Sequence, residues 1–252
     1  MSQSEALSAA ILVIGDEILS GRTQDTNSHT IARFLLPFGI DLKEIRVVGD
    51  VEEEIVKALN ALRSRYTYVF TTGGIGPTHD DITADAVAKA FGVGIAVHPE
   101  ALQLLLTRIK PEDMNEMRRR MARIPFGASL VRNSVSAAPG FQLENVFVLA
   151  GVPMIMRAML EDVAPRLRHG QVVHSATVAA RITEGSIAAE LARIQDGFPS
   201  LAIGSYPTYQ ENGFGVQLVV RGRDAHAVEK AAQAVEELVR KAGGEPWRVL
   251  PH

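Results

Sequence analysis

The segment Thr71–Thr83, with the sequence TTGGIGPTHDDIT, is the most informative stretch of this chain. The apolar residues Tyr68–Phe70 before it predict a buried strand, and Thr83–Phe91 predicts a helix after it. In open α/β sheets, ligands usually bind in the crevice outside the carboxyl ends of the strands. The segment therefore predicts a ligand-binding loop, here named the glycine loop, at the edge of such a sheet.

The residue types of the glycine loop are those expected of a phosphate site. Glycines allow the backbone to approach an anion closely, threonine hydroxyls can donate to phosphate oxygens, and the following helix adds the partial positive charge of its N-terminus. The alternative is a tight structural turn in which Asp81 only caps the helix. The loop lacks both the GK[ST] of Walker A and the dinucleotide GxGxxG. The predicted ligand contacts in this loop are Thr71, Thr72, Gly73, Gly74, Gly76, Pro77 and Thr78.

Outward from the loop, short apolar runs alternate with amphipathic segments. Ala9–Ile14 and Leu42–Val48 predict strands, and Thr26–Phe38 and Glu53–Arg65 predict helices. This alternation predicts a parallel sheet covered by helices on both faces. Further predicted elements of this part are helices at 99–110 and 112–122, a strand at 147–149 and a helix from 154 to about 167.

The pattern changes near residues 168–171. From residue 172 to residue 241 the order is strand, helix, strand, strand, helix, which predicts a small α+β module. We therefore expect a large domain over residues 1–170 and a small domain over residues 171–252.

Composition excludes several classes of protein. Hydrophobic residues make up 46% of the 252 residues and charged residues 22%, which is typical of a globular protein and excludes a disordered or fibrous one. The net charge of −3 gives no overall attraction to nucleic acid or to an anionic membrane. Cysteine is absent, which excludes disulfides, zinc-thiolate sites and cysteine nucleophiles. No signal peptide or membrane-spanning run is evident, so we expect a soluble, cytoplasmic protein.

A second polar segment, Gly15–Ser28 (GDEILSGRTQDTNS), follows the first predicted strand and should lie at the same sheet edge as the glycine loop. Its carboxylates would repel a bound phosphate unless a divalent cation lay between them. Magnesium held by one or two carboxylates plus substrate phosphates meets this requirement. The alternative is that Asp25 or Asn27 caps the next helix while Asp16 and Glu17 are solvated.

Two further features carry less weight. Gly151–Pro153, at a predicted strand-to-helix turn, has a composition that is common there for structural reasons alone. The basic run Arg118–Arg120, with Arg123, could contact phosphate, although a run of charges is usually a solvated helix face.

These segments resemble the MoaB/Mog-type molybdopterin-binding superfamily. The similarity is greatest to the CinA (competence/damage-inducible protein A) group, whose N-terminal domain is shared with eukaryotic FAD synthase. It rests on GDEILSGRTQDTNS, on TTGGIGPTHDDIT, on APGF at 138–141, on GVP at 151–153 and on IGSYP at 203–207.

The resemblance implies an α/β fold, with a three-layer αβα large domain followed by a small KH-like α+β domain. It implies a site between the glycine loop and the Gly15–Ser28 segment. In adenylyl-transferring relatives, an aspartate at the position of Asp81 supports a metal, whereas Asp80 stands here in place of their arginine. Residues Asp25–Ser28 look similar to the relatives' Asp-Arg-Ser-Gly stretch. The superfamily often assembles, so a homo-oligomer is expected.

The function that the resemblance implies first is a divalent-metal-dependent pyrophosphatase, a hydrolase acting on a nucleotide diphosphate of the ADP-ribose or FAD type. The expected cofactor is Mg²⁺ or Co²⁺, held by Asp16 and Asp81, with Glu17 or Asp25 orienting water. The predicted ligand contacts outside the glycine loop are Ser20, Asn27, Ser28, Gly151 and Pro153.

Two alternatives remain open at this point. One is molybdopterin binding and adenylyl transfer in molybdenum cofactor biosynthesis. The other is a regulatory module that binds a nucleotide or a pterin without turnover. All three functions involve a small-molecule ligand, and none requires nucleic acid or a membrane.

Overall fold

The computed structural model describes residues 6–210 and 213–249. The chain divides into two compact units, residues 1–170 and residues 171–252, which are described separately below. Across the described ranges, no helix combines the length and the apolar character that crossing a bilayer requires.

The large unit is built on a six-stranded sheet with the order β2-β1-β3-β8-β7-β6. Strand β1 pairs in parallel with both β2 and β3, and β3 pairs in parallel with β8. The strands of this unit are β1 (Ser8–Ile14), β2 (Asp41–Val48), β3 (Tyr68–Thr72), β4 (Ile95–Val97), β5 (Arg123–Pro125), β6 (Ser129–Val131), β7 (Gly140–Leu143) and β8 (Val146–Leu149).

The register of the parallel strands brings three loops to one edge of the sheet. Val13 of β1 lies opposite Thr72 of β3, and Thr72 lies opposite Leu149 of β8. Each strand therefore ends at the same level. The segments that begin at Gly15, Gly73 and Ala150 leave the sheet side by side.

Helices cover both faces of this sheet, as the sequence predicted. Because side chains alternate along a strand, Leu12 of β1 joins one core cluster and Ile11 joins the other. The first cluster includes residues of α3 and α4, and the second includes residues of α2 and α7. The helices of this unit are α1 (Asp16–Leu19), α2 (Asn27–Leu35), α3 (Glu52–Arg63), α4 (Thr83–Phe91), α5 (Pro99–Leu106), α6 (Glu116–Arg120) and α7 (Pro153–Val163).

The structure corrects two predictions for this unit. The sheet is mixed, because β6, β7 and β8 form an antiparallel meander at one side of the parallel strands. The helices predicted at 99–110 and 112–122 are much shorter. Helix α5 ends at Leu106, Pro111 begins only a short 3₁₀ turn, and α6 begins after Asn115, whose side chain accepts from the amide of Arg118. Pro111 keeps the two helices separate, because a proline ring cannot continue a hydrogen-bonded helix.

The small unit contains a four-stranded antiparallel sheet with the order β10-β11-β9-β12. Helices α8 and α9 contribute to a single core cluster with this sheet, including Val178, Leu218 and Val235. This is the expected α+β module with one additional short strand, and its KH-like character stays a prediction. The elements are β9 (His174–Ala180), α8 (Ala188–Gly197), β10 (Ala202–Gln210), β11 (Gly213–Gly222), α9 (Ala225–Lys241) and β12 (Trp247–Val249).

Candidate functional site

The glycine loop has a backbone that only glycine accommodates at its first two glycine positions. Gly73 has φ +104° and Gly74 has φ +66°. A Cβ atom on Gly73 would lie 2.1 Å from the carbonyl oxygen of Ile14, and one on Gly74 would lie 2.2 Å from Oγ1 of Thr83. Both glycines are therefore required by the fold of the loop.

Asp81 closes a turn within the glycine loop. Its Oδ2 accepts hydrogen bonds from the backbone amide of Thr78 at 2.7 Å and from the hydroxyl of Thr78 at 2.5 Å. Helix α4 begins at Thr83 after Ile82, without a side-chain cap. Asp81 therefore does not cap this helix. Its second oxygen accepts no hydrogen bond from the residues that the structure describes.

Asp25 caps helix α2. Its Oδ1 accepts from the amide of Asn27 at 3.0 Å and from the amide of Ser28 at 3.1 Å. The capping role considered in the sequence analysis is therefore present for Asp25. Asn27 in turn donates from Nδ2 to the carbonyl of Gly151 at 2.7 Å, which ties this helix to the end of β8.

The start of helix α2 also carries buried polar atoms without a hydrogen-bond partner among the described residues. Asn27 is 7% exposed and Ser28 is 6% exposed. In the described part of the chain, Oδ1 of Asn27 and Oγ of Ser28 have no hydrogen-bond partner. Buried polar atoms are rarely left unsatisfied in folded proteins, so the unpartnered Oδ1 of Asn27, a residue that lines a cavity, favours a polar ligand or ordered water nearby.

Two of the cavities that border the glycine loop contain most of the predicted site residues. The larger cavity has a volume of about 660 Å³. It is lined by Gly73–Pro77, Asp81 and Glu17. Its apolar wall includes Leu105, Ile109, Met121, Val152 and Ile155. The smaller, of about 60 Å³, lies at the start of α2. Residues that line this smaller cavity include Glu17, Thr23, Asp25, Asn27, Thr72, Gly73, Gly151 and Pro153.

Most of the predicted site residues therefore lie together at one place. Glu17, Gly73 and Gly151 line both cavities. The predicted residues that line neither cavity are Asp16, Ser20, Ser28, Thr71 and Thr78. Asp16 lies against β2 instead, since a Cβ atom on Gly49 would be 2.5 Å from its Oδ1.

Sequence reasoning missed Asp50, which follows the end of β2 at the same sheet edge. Its Oδ2 accepts from the backbone amide of Asp16 at 2.9 Å. Burial, together with the nearby negative charges of Asp16, Glu17 and Asp80, raises the pKa of Asp50 above its usual value. The strand-end rule that selected Gly15–Ser28 applies equally to Asp50 and could have found it.

The basic run at 118–123 has specific partners. Arg123 forms a two-point ion pair with Asp85, with nitrogen–oxygen distances of 2.6 and 2.9 Å. Arg118 donates to the carbonyl of Asp113, and Arg120 donates to the carbonyl of Asp81 at 3.3 Å. Arg120 thus contacts the end of the glycine loop, which the sequence alone did not indicate.

A preformed metal cluster is not part of this site. Within residues 6–210 and 213–249, no group of three or more His, Cys, Asp or Glu side chains is arranged to hold a metal ion. Any cation would therefore need oxygen atoms from the ligand in addition to protein carboxylates. This arrangement is common for Mg²⁺ at phosphate sites.

Comparison with known proteins places this site in a family. Residues 10–169, which carry the glycine loop and both cavities, match the family model described as "Probable molybdopterin binding domain". The chain belongs to the molybdopterin-binding domain family. Residues 172–243 of this molybdopterin-binding domain protein match a second model, "FAD synthase, middle domain".

Individual relatives agree with this assignment. A protein of Archaeoglobus fulgidus is 34% identical over 91% of this chain and 96% of its own length. A protein named "Probable FAD synthase" from Caenorhabditis briggsae is 31% identical over 95% of this chain. The chain spans only 51% of that relative's length.

A solved structure supports the CinA-like assignment. The crystal structure of the protein CinA from Thermoplasma acidophilum, described as of unknown function, matches with a TM-score of 0.61 and 33% sequence identity. The match covers 65% of this chain and 99% of that one. The resemblance to the CinA group of MoaB/Mog-type domains, predicted from the motifs, is thereby confirmed.

Proposed function

We propose that this protein is a divalent-metal-dependent pyrophosphatase that hydrolyses a nucleotide diphosphate of the ADP-ribose or FAD type. The observation that carries the proposal is the pair of unlike cavities that share Glu17, Gly73 and Gly151. One cavity has an apolar wall suited to a planar ring. The other is small and is lined by Glu17, Asp25 and Asn27, and the Oδ1 atom of Asn27 has no hydrogen-bond partner among the described residues. A ligand with a ring at one end and hydroxyl groups beyond its phosphates could place the ring in the larger cavity and the hydroxyl groups in the smaller one.

The glycine loop is the natural position for the phosphates of such a ligand. Gly73 lines both cavities, and Gly74 and Gly76 line the larger one. Backbone amides in loops of this type bind anions, and the N-terminal end of α4 adds a favourable partial charge. This placement puts the phosphate–phosphate bond next to Glu17.

The carboxylates divide into separate roles. Asp81 lines the larger cavity and keeps one carboxylate oxygen without a hydrogen bond from the described residues, so Asp81 fits a divalent cation whose other ligands are phosphate oxygens. When bound, Mg²⁺ or Co²⁺ would neutralise the charge that develops on the phosphates. Glu17 lines both cavities and is the carboxylate we assign to orienting the attacking water. Asp16 lines neither cavity, and its predicted role as a metal ligand stays a prediction.

The reaction is a simple hydrolysis. The oxygen of water forms a bond to one phosphorus atom, and the bridging phosphorus–oxygen bond breaks. The proton of the attacking water passes to Glu17 and then to solvent. ADP-ribose would give AMP and ribose 5-phosphate, and FAD would give AMP and FMN.

Product analysis tests this function directly. The protein is incubated with ADP-ribose or with FAD, in the presence of Mg²⁺, Co²⁺ or a chelator, and the nucleotides are separated by chromatography. We expect AMP to form only with metal, and we expect Glu17→Gln to abolish it. Unchanged nucleotide that nevertheless binds would favour the regulatory module.

Molybdopterin handling is the second candidate, because the family model carries that name and the larger cavity has an apolar wall. Binding of a pterin but not of nucleotides in a thermal-shift panel would favour it. We further propose a cytoplasmic homo-oligomer without nucleic-acid or membrane partners. Light scattering during size-exclusion chromatography tests the assembly.

A further inference from the structure

The larger cavity presents an unusual balance of charge to an anionic ligand. Two carboxylates, those of Glu17 and Asp81, line it close to the glycine loop. Among the described residues, Arg108 is the one cationic side chain on its wall. An anion that enters this cavity therefore meets repulsion from two groups and attraction from one side chain that the motifs did not identify.

Local structure fixes the position of Arg108. Leu105, near the end of α5, is 1% exposed and packs in the core of the large unit. The backbone amides of Arg108 and Ile109 donate to the carbonyl of Leu105 at 3.0 and 2.9 Å, so the helical turn continues past the end of α5. Residues three and four positions after Leu105 therefore lie on its side of the turn. Arg108 and Ile109 both line the cavity as a result.

The Arg108 side chain is also free to bind. It is exposed, and its guanidinium makes no hydrogen bond or ion pair with any residue in the described part of the chain. Arg120 and Arg123, which line another cavity at the glycine loop, differ in this respect. Arg123 is paired with Asp85, and Arg120 donates to the carbonyl of Asp81 without lining the larger cavity.

We propose that Arg108 is a specificity-determining residue that binds a phosphate group of a nucleoside phosphate whose ring lies against the apolar wall. A guanidinium presents several N–H donors in a planar fork that matches phosphate oxygens, and it stays charged at all physiological pH values. Arg108 offsets the repulsion from Glu17 and Asp81 and selects phosphorylated ligands over neutral ones. The ligand class rests on the proposed function. The preference for a phosphate rests on Arg108, the one cationic side chain that lines the larger cavity among the described residues.

Calorimetry with adenosine and AMP tests the inference, because these two probes differ only by the phosphate. We expect the wild type to bind AMP more tightly than adenosine. Arg108→Gln should lower the affinity for AMP by about ten- to a hundredfold, the range of a hydrogen bond to a charged group, and should leave adenosine binding unchanged. Arg108→Lys should give an intermediate loss.

Lys110→Gln is the matched control. Lys110 is exposed two residues away and does not line the cavity, so its loss removes the same charge without removing a contact. Equal AMP affinities in Arg108→Gln and Lys110→Gln, or no measurable AMP binding to the wild type, would overturn the inference. AMP release from ADP-ribose is measured separately. A wild type that shows the Arg108-dependent preference but releases no AMP would contradict the hydrolase and leave this inference standing.

Discussion

The hydroxyl of Thr83 donates a hydrogen bond to the carbonyl of Gly73 at 3.0 Å, and the backbone amide of Thr83 donates to the carbonyl of Gly74 at 3.0 Å. The first residue of α4 thus fixes the first two glycines of the loop that precedes it. Thr83 is fully buried, so no water competes for these bonds. The direction in which the loop amides point therefore depends on how α4 packs on the sheet.

Thr83→Val and Thr83→Ser should separate loop geometry from packing. Valine keeps the shape and loses the hydroxyl, whereas serine keeps the hydroxyl and loses a buried methyl group. Each change should lower the free energy of unfolding by about 1 kcal/mol, for these different reasons. Only the valine variant should lose nucleotide affinity, measured by calorimetry. If serine and valine weaken binding equally, the hydroxyl is not what orients the loop.

Glu17 and Asp25 should respond differently to removal of their charge. Asparagine caps a helix about as well as aspartate, so Asp25→Asn should keep both the stability of the protein and its rate of AMP release within a few-fold. Glu17→Gln should keep stability and Mg²⁺ binding but abolish turnover, because the amide cannot accept a proton from water. Loss of turnover in Asp25→Asn with an unchanged thermal midpoint would instead assign the water to Asp25.

The parallel half of the large unit was predictable because its signals are local and long. Residues Ala9–Ile14 of β1 form a continuous apolar run, and helix α4 begins and ends at the predicted residues 83 and 91. The motifs at the strand ends followed from the rule that parallel strands end at a common edge. The glycine loop, Glu17, Asn27 and Gly151 accordingly lie together at that edge.

The remaining parts of the large unit, including β4, β5 and the position of Arg108, could not be predicted, because they depend on contacts between short segments that are distant in sequence. Strands β4 (Ile95–Val97) and β5 (Arg123–Pro125) pair across the whole α5–α6 segment, and three residues are too few to show an alternating pattern. Arg108 lies in a turn without a motif, and its relation to the cavity follows only from the burial of Leu105. The helix predicted over residues 99–110 included Arg108, but the sequence did not indicate that this side chain lines a cavity.

The small unit contains an ion pair whose contribution should depend on pH. Hydrogen bonds and the positive charge of Arg248 lower the pKa of Glu236 below its ordinary value of 4.5, and Arg240 adds to this effect. A carboxylate with a lowered pKa in the folded state stabilises the protein above its ordinary pKa. That contribution is lost as the pH falls through 4.5 towards the lowered value.

Glu236→Gln should therefore lower the free energy of unfolding by about 1 kcal/mol at pH 7, with a smaller difference below pH 4.5. Trp247 is the single tryptophan of the chain and precedes Arg248, so its fluorescence during urea unfolding reports on this unit. Glu237→Gln is the control, because Glu237 is exposed and has no ion pair among the residues described. A pH-independent difference for Glu236→Gln would contradict the assignment.

Asp81 should bind metal in addition to closing its turn, and Asp81→Asn tests the two roles separately. The amide oxygen of asparagine can still accept from the amide and the hydroxyl of Thr78, so we expect the stability of the metal-free protein to change by less than about 1 kcal/mol. A divalent cation such as Mg²⁺ prefers the anionic carboxylate oxygen, so metal-dependent turnover and metal-enhanced nucleotide binding should be lost.

Asp80→Asn provides the control for this substitution, because it removes the same charge one residue away. The Asp80 side chain is 59% exposed and lines neither cavity, so its loss should weaken metal binding less. Mg²⁺ is titrated by calorimetry against the wild type and both variants, with AMP present to supply phosphate oxygens. An equal affinity for Mg²⁺ in the wild type and in Asp81→Asn would exclude Asp81 as a ligand. The cation would then be assigned to Glu17, Asp16 or Asp25, which lie in the segment after β1.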